Sequence, residues 1–175
     1  MSSDNLRALS ELVFISEIVN QAKIADLAAS SLGEIANDVD PIETWGAIQS
    51  ILIAAANVSK ILWPPRKKSA LRGETLRKLL GVDARNPLSD RNFRNHFEHY
   101  DERIEDWFKE EGSAVYIDSR IDPFDSFWGS NPANFHRGYD PVTKTLTFRG
   151  ESTDLAAILS ALQEIREKCC NLALP

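Results

Sequence analysis

The sequence predicts a mainly α fold: a bundle of about five helices with a small β-hairpin element ahead of the C-terminal helix. Three observations carry that expectation. Apolar residues recur at three- and four-residue steps through residues 5–62 and again through 155–169. Strong punctuation, Asp40-Pro41, Trp63-Pro64-Pro65 and Gly81, separates the periodic runs. Between about 113 and 151 the pattern changes to short alternating segments and turn residues.

The first helix is expected from about Asn5 to Ala36, free of proline, with Leu9, Leu12, Val13, Ser16, Val19, Ile24, Leu27 and Ile35 at roughly helical spacing. Asp40-Pro41-Ile42-Glu43 then supplies an N-cap acid, a proline at the first helical position and a glutamate three residues after the cap. The helix it opens carries Trp45, Ile48, Leu52, Ala55 and Leu62 on one face and stops at Trp63-Pro64-Pro65. A third runs from about Lys68 to Leu80, with Gly81 as its stop. Asn86-Pro87 opens a fourth that ends near Gly112. Ala114-Val115-Tyr116-Ile117 has the look of a short strand, and Ser119 to Asn134 of an irregular aromatic loop. Residues 135–138 and 144–149 flank Tyr139-Asp140-Pro141-Val142-Thr143 as a hairpin. The last helix starts near Ser152 or Thr153 and turns Leu155, Ile158, Leu159, Leu162, Ile165 and Cys169 inward. The chain is expected to be one domain, 1–175, with a helical core at about 5–112 and 152–172 and a β and loop insertion at about 113–151.

Composition narrows the function classes. A net charge of −6 gives the whole molecule no attraction for nucleic acid or an anionic membrane, so a phosphate-bearing partner needs a local basic patch. One candidate exists: Arg66, Lys67, Lys68, Arg72, Arg77 and Lys78 crowd around the single acid Glu74, either as a solvated connector or as a landing strip for a nucleic-acid backbone. Cys169 and Cys170 are adjacent and have no metal-ligand spacing around them, which suits packing in a reducing compartment. The N-terminus lacks the pattern of a secretory signal, and the apolar run Ile51–Ala56 is too short to span a membrane. A cytoplasmic protein without membrane contact is expected.

Chemistry concentrates in residues 91–103. Two overlapping copies of Arg-Asn-x-x-x-His occur there, Arg91-Asn92 with His96 and Arg94-Asn95 with His99. At 100° per residue, Phe93, Phe97, Tyr100, Ile104 and Trp107 form an apolar stripe, and Asn92, Asn95, His96, His99 and Arg103 run beside it. Arg94, Glu98, Asp101 and Glu105 lie towards the other flank. An imidazole near neutral pKa can pass a proton between two oxygens, and a guanidinium can hold a phosphate at two points. In RNA the ribose 2′-hydroxyl is an internal nucleophile, so such a pair suffices without a metal.

Arg-polar-x-x-x-His on a late helix of a bundle resembles the HEPN superfamily. That resemblance implies a metal-independent endoribonuclease of toxin–antitoxin or defence systems, without a cofactor, and often a homodimer that brings two motifs across a cleft. It is carried first onto Arg94 as phosphate clamp, Asn95 as positioning group and His99 as general acid/base, with Arg103 in support. Arg91, Asn92 and His96 are the alternative register. The run Glu98-His99-Tyr100-Asp101-Glu102-Arg103 resembles uncharacterised bacterial members of that kind and implies no activity of its own.

Other readings of the same residues stay open. The stripe can be a buried polar network that keeps helices in register, in a non-catalytic interaction or regulatory module such as an antitoxin-like partner. His96, His99 and His136 together offer imidazoles for a metal, yet no clear acid or cysteine completes a ligand set. His136 falls in the β segment and reads as a surface or hairpin residue. The four tryptophans, Trp45, Trp63, Trp107 and Trp128, are expected in the core or a covering loop.

Overall fold

The computed structural model describes residues 3–35, 40–90, 99–110, 115–122, 134–170 and 172. Among these, five α-helices and one four-stranded sheet form the molecule. Helix α1 is Ser3–Ile35, α2 is Pro41–Leu62, α3 is Ala70–Leu80, α4 is Tyr100–Glu110 and α5 is Leu155–Cys169. The strands are β1 (Arg120–Ile121), β2 (Arg137–Asp140), β3 (Thr145–Phe148) and β4 (Glu151–Asp154). The predicted mainly α architecture with a small β element before the last helix is what forms.

Local chemistry sets the helix ends. Asp40 is in extended conformation and accepts a hydrogen bond from the Glu43 N–H at 2.9 Å, with Pro41 starting α2. Gly81 takes φ 61, and the N–H of Val82 reaches back to Arg77 O at 2.9 Å, which closes α3. Lys67–Ser69 forms a short 3-10 turn ahead of α3. Asp154 accepts from the Ala157 N–H at 3.0 Å and caps α5.

Helix α2 is the centre of the core. Its length and composition match those of a membrane span, contrary to the expectation of no such run. In the fold, however, Trp45, Ile48, Ile51, Leu52, Ala55, Val58 and Leu62 are buried among α1, α3 and α5. A glycine permits the closest approach: a Cβ on Gly73 would lie 2.5 Å from Pro64 Cδ and 2.6 Å from Leu62 O. Asp26 pairs with Arg166 and ties α1 to α5.

Helix α1 follows its expected face only in part. Of the expected residues Val19 is buried and Leu12 and Ser16 half-buried, whereas Leu9, Val13, Ile24 and Leu27 are exposed, and Ile15, Ile18, Ala22 and Ala25 supply the rest of the inward face. The helix is apolar on two sides, so periodicity alone mixed the two.

The sheet runs β1-β2-β3-β4, with β1 parallel to β2 and the other pairs antiparallel. Asp140 Oδ1 accepts from the Val142 and Thr143 N–H groups at 2.8 and 3.1 Å and shapes the predicted β2–β3 hairpin. Arg149 (φ 48) and Gly150 (φ 83) make the tight turn into β4. Three expectations are corrected. Ser152 and Thr153 belong to β4, and α5 begins only at Leu155. The strand expected at 114–117 amounts, in its described part, to a single bridge from Ile117 to Phe135, and the short strand β1 sits later, inside the expected loop. Asn86-Pro87 opens a 3-10 turn at Pro87–Ser89, with Asn86 accepting from the Leu88 N–H at 3.0 Å, in place of the start of the long fourth helix.

Candidate functional site

Arg91, Asn92, Arg94, Asn95 and His96 lie outside the described residues, so the core of the motif has no geometry here. Its last member does. His99 stands immediately before α4, its side chain 52% exposed, with Nδ1 3.6 Å from Glu102 Oε2. At that distance Glu102 is an electrostatic neighbour of the ring and not a hydrogen-bond partner. Arg103, one turn further, is partly buried, and its Nε has no hydrogen-bond partner among the described residues.

The next residue, Tyr100, enters a polar cluster that sequence reasoning missed. Asp118 is its hub. Arg137 donates to both carboxylate oxygens, from Nε at 2.8 Å and from a terminal nitrogen at 2.7 Å, and Tyr100 donates its hydroxyl at 2.9 Å. Arg137 also reaches Ser119 Oγ at 2.9 Å. Its guanidinium carbon sits 4.3 Å from the Tyr100 ring centre and 5.1 Å from that of Trp45, a cation held by two aromatic rings. The Trp45 indole donates to the Ser119 carbonyl at 2.7 Å, pinning a residue with φ 55. Thus α2, α4, the 115–119 segment and β2 meet at one ion pair.

His136 completes the cluster and overturns its expected surface position: it is fully buried. Nδ1 lies 2.9 Å from the Tyr116 hydroxyl and 3.7 Å from Asp118 Oδ1, so the tyrosine is the hydrogen-bond partner and the carboxylate a longer electrostatic contact. Phe148, Tyr116 and Tyr100 surround the ring at 4.9, 5.4 and 5.5 Å between centres. Nε2 is buried without a hydrogen-bond partner among the described residues. Trp107 packs edge-on to Tyr116 at 4.8 Å, which fastens the far end of α4 to the same aromatic layer.

Asp118, Arg137 and the two tyrosines each hold one protonation state at physiological pH. Burial pushes the Asp118 carboxyl up, but the nearby His136 ring, the hydrogen bonds from Arg137 and Tyr100 and the arginine charge outweigh it and hold the group well below the carboxylate range. Burial lowers the affinity of Arg137 for its proton, yet Asp118 more than restores it. Burial, followed by hydrogen bonding, raises both Tyr100 and Tyr116, so both stay neutral at physiological pH. The Arg137 fork is spent on Asp118 and cannot also clamp a phosphate. The cluster acts as a clasp that seats α4, and it leaves the neighbouring His99 outside.

Only part of the expected basic strip faces solvent. Arg72 donates to the carbonyls of Lys60 and Ile61 at 3.1 and 3.4 Å, and Arg77 to that of Leu62, so both cap the end of α2. Lys78 pairs with Glu74 at 2.7 Å. Arg66, Lys67 and Lys68 remain as an exposed basic corner. Among the described residues no three His, Cys, Asp or Glu side chains gather in metal-binding geometry. His96 is outside those residues, and His136 is closed off by its aromatic neighbours.

No protein-family model, curated protein or solved structure matches this chain.

Proposed function

We propose that the segment 91–99 and α4 form a metal-independent RNA-cleaving site of the HEPN kind. His99 would be the general acid/base, Arg94 the phosphate clamp and Asn95 the positioning group, with RNA as substrate. One observation supports this reading above others: His99 is open to solvent while its neighbour Tyr100 is anchored at Asp118. A catalytic imidazole needs both access and a fixed backbone. Glu102 places a negative charge beside the ring. The exposed corner Arg66, Lys67 and Lys68 is available to a phosphate backbone, and its weight in binding is expected to fall as salt rises.

The test is cleavage of a labelled single-stranded RNA in EDTA by the natural sequence, His99→Ala, Arg94→Ala, His96→Ala and Arg91→Ala. Loss of activity in His99→Ala and Arg94→Ala, with an unchanged melting temperature, is the expected result. Loss in His96→Ala and Arg91→Ala instead would move the chemistry to the other register.

A second reading has its own observation. Leu6, Leu9 and Val13, and after three turns Ile24 and Leu27, lie exposed along one side of α1, the two apolar groups separated by Ser16, Glu17 and Asn20. Such a side suits a protein contact, and a second copy of this chain is the simplest occupant. In that reading the protein is an interaction module. Sedimentation of the natural sequence against Leu27→Glu distinguishes them: a dimer lost in the variant, together with inactivity on RNA, favours the module.

A further inference from the structure

Away from the motif, a pocket of about 190 Å³ opens between the C-terminal half of α1, the start of α2, the β1–β2 pair and α5. Its walls are mostly apolar: Ala29 and Leu32 from α1, Ile121 from β1, Leu155 and Leu159 from α5. Three polar side chains also line it: Tyr139 on β2, Lys144 at the end of the hairpin turn, and Thr44 at the start of α2, whose hydroxyl is already donated to the Asp40 carbonyl. Tyr139 and Lys144 have unused capacity. Tyr139 is 4% exposed, and its hydroxyl has no hydrogen-bond partner among the described residues. The Lys144 side chain is exposed and has no carboxylate partner among them.

We infer that this pocket binds a small monocarboxylate with an apolar body of about six carbons. Size sets the body: a cavity of about 150 Å³ holds benzene, and this one is slightly larger. Charge sets the head. An ammonium and a neutral phenol are both donors, and two donors match the two oxygens of a carboxylate. Burial, and then the charge of Asp140, raises the Tyr139 hydroxyl, which keeps it protonated as a donor. Asp140 opposes an anion at the Tyr139 hydroxyl, where its charge is felt; the Val142 and Thr143 N–H groups hold its Oδ1 at the turn without neutralising it, so the Lys144 ammonium has to outweigh it.

The lysine is also held in place. Lys144 takes φ 54, a left-handed conformation costly for a side chain that glycine would adopt freely, and its carbonyl accepts from the Leu155 N–H at 3.0 Å. The turn is thereby fastened to the first residue of α5, which itself lines the pocket. A neutral alcohol of equal length fills the same apolar space without using the lysine charge, so affinity for the acid over the alcohol reports on the site.

Heteronuclear NMR titration of the whole chain with hexanoate and with 1-hexanol at pH 7.5 tests the inference. Hexanoate is expected to give saturable shifts centred on Thr44, Tyr139, Lys144 and Leu155, at least about tenfold tighter than the alcohol. Lys144→Met should bring the two ligands to the same affinity, and Tyr139→Phe should weaken hexanoate several-fold. Ala29→Phe, which fills the pocket, should abolish both. Absence of saturable shifts, equal affinity for acid and alcohol, or hexanoate binding unchanged in Lys144→Met would each overturn it. Because Lys144→Met and Tyr139→Phe leave the apolar walls intact, misfolding of Ala29→Phe does not remove the test.

Discussion

Asp118→Ala gives the sharpest test of the clasp that seats α4. The substitution deletes the acceptor of four hydrogen bonds, two from Arg137, one from Tyr100 and a longer one from Ser119. What remains is an arginine whose side chain is only 11% exposed, between two aromatic rings and without its counter-ion. Breaking one partner of a buried pair costs about 3–5 kcal/mol, and the residual exposure of both groups argues for the lower half of that range, about 3–4 kcal/mol. For a chain of this size that corresponds to a fall in Tm of roughly 6–16 °C. Urea unfolding followed by tryptophan fluorescence measures it. Asp118→Leu combined with Arg137→Met removes both charges and should recover much of the loss, because neither group is then left unpaired. A single Asp118→Ala within about 1 kcal/mol of the natural sequence would refute the assignment. The pH dependence has a definite sign. The carboxyl is depressed in the fold, so its contribution is fully present above the unfolded value of about 3.9 and is lost only as pH falls below it.

Further consequences are independent of the clasp. Gly73→Ala should cost about 1–3 kcal/mol in urea unfolding, since the new methyl meets Pro64 and the Leu62 carbonyl, and a neutral result would mean that α2 and α3 separate more easily than their contact indicates. Asp154→Ala should lose about 1 kcal/mol through the α5 cap, whereas Asp154→Asn should keep most of it. A thiol reagent at pH 8 should label Cys170 quickly and Cys169 only on unfolding, two equal rates being the contrary outcome. Burial, and then Cys170, raises the Cys169 thiol to about 11, against an unfolded value near 8.5. Its stabilising contribution is therefore complete below about pH 8.5 and is lost between there and about pH 11, a decline that Cys169→Ala should flatten.

The helical frame was legible because its boundaries are written in local chemistry. Asp40-Pro41, Trp63-Pro64 and Gly81 act through backbone geometry that short-range rules capture. The expected stripe of α2, Trp45, Ile48, Leu52, Ala55 and Leu62, is buried, but burial spreads to Ile51, Ala54, Val58 and Ile61 because helices pack on more than one side of it, whereas α1 offered two apolar faces and only the packing of α2 and α5 selects between them. Strand β4, Glu151–Asp154, has no apolar alternation and reads as the approach to a helix; pairing with β3 makes it a strand. The clasp was hidden for a different reason. Its members Tyr100, Asp118 and His136 are about eighteen residues apart in sequence, and each alone is an ordinary polar or aromatic residue. One signal was present: Tyr100 on an apolar stripe carries a hydroxyl that demands a partner. His136 read as a surface residue because nothing in its own segment indicates the rings of Tyr116, Phe148 and Tyr100 that enclose it.

The proposed chemistry is tested most directly by single-turnover cleavage, in EDTA, of an RNA oligonucleotide and its fully 2′-deoxy analogue. The natural sequence should cut the RNA to products ending in a 2′,3′-cyclic phosphate and leave the deoxy strand intact, because the nucleophile is the ribose hydroxyl. His99→Ala, a change at an exposed position that leaves the fold undisturbed, should slow the reaction by about 100- to 10,000-fold. Cleavage of both strands, an undiminished rate in His99→Ala, or no cleavage by the natural sequence would contradict it.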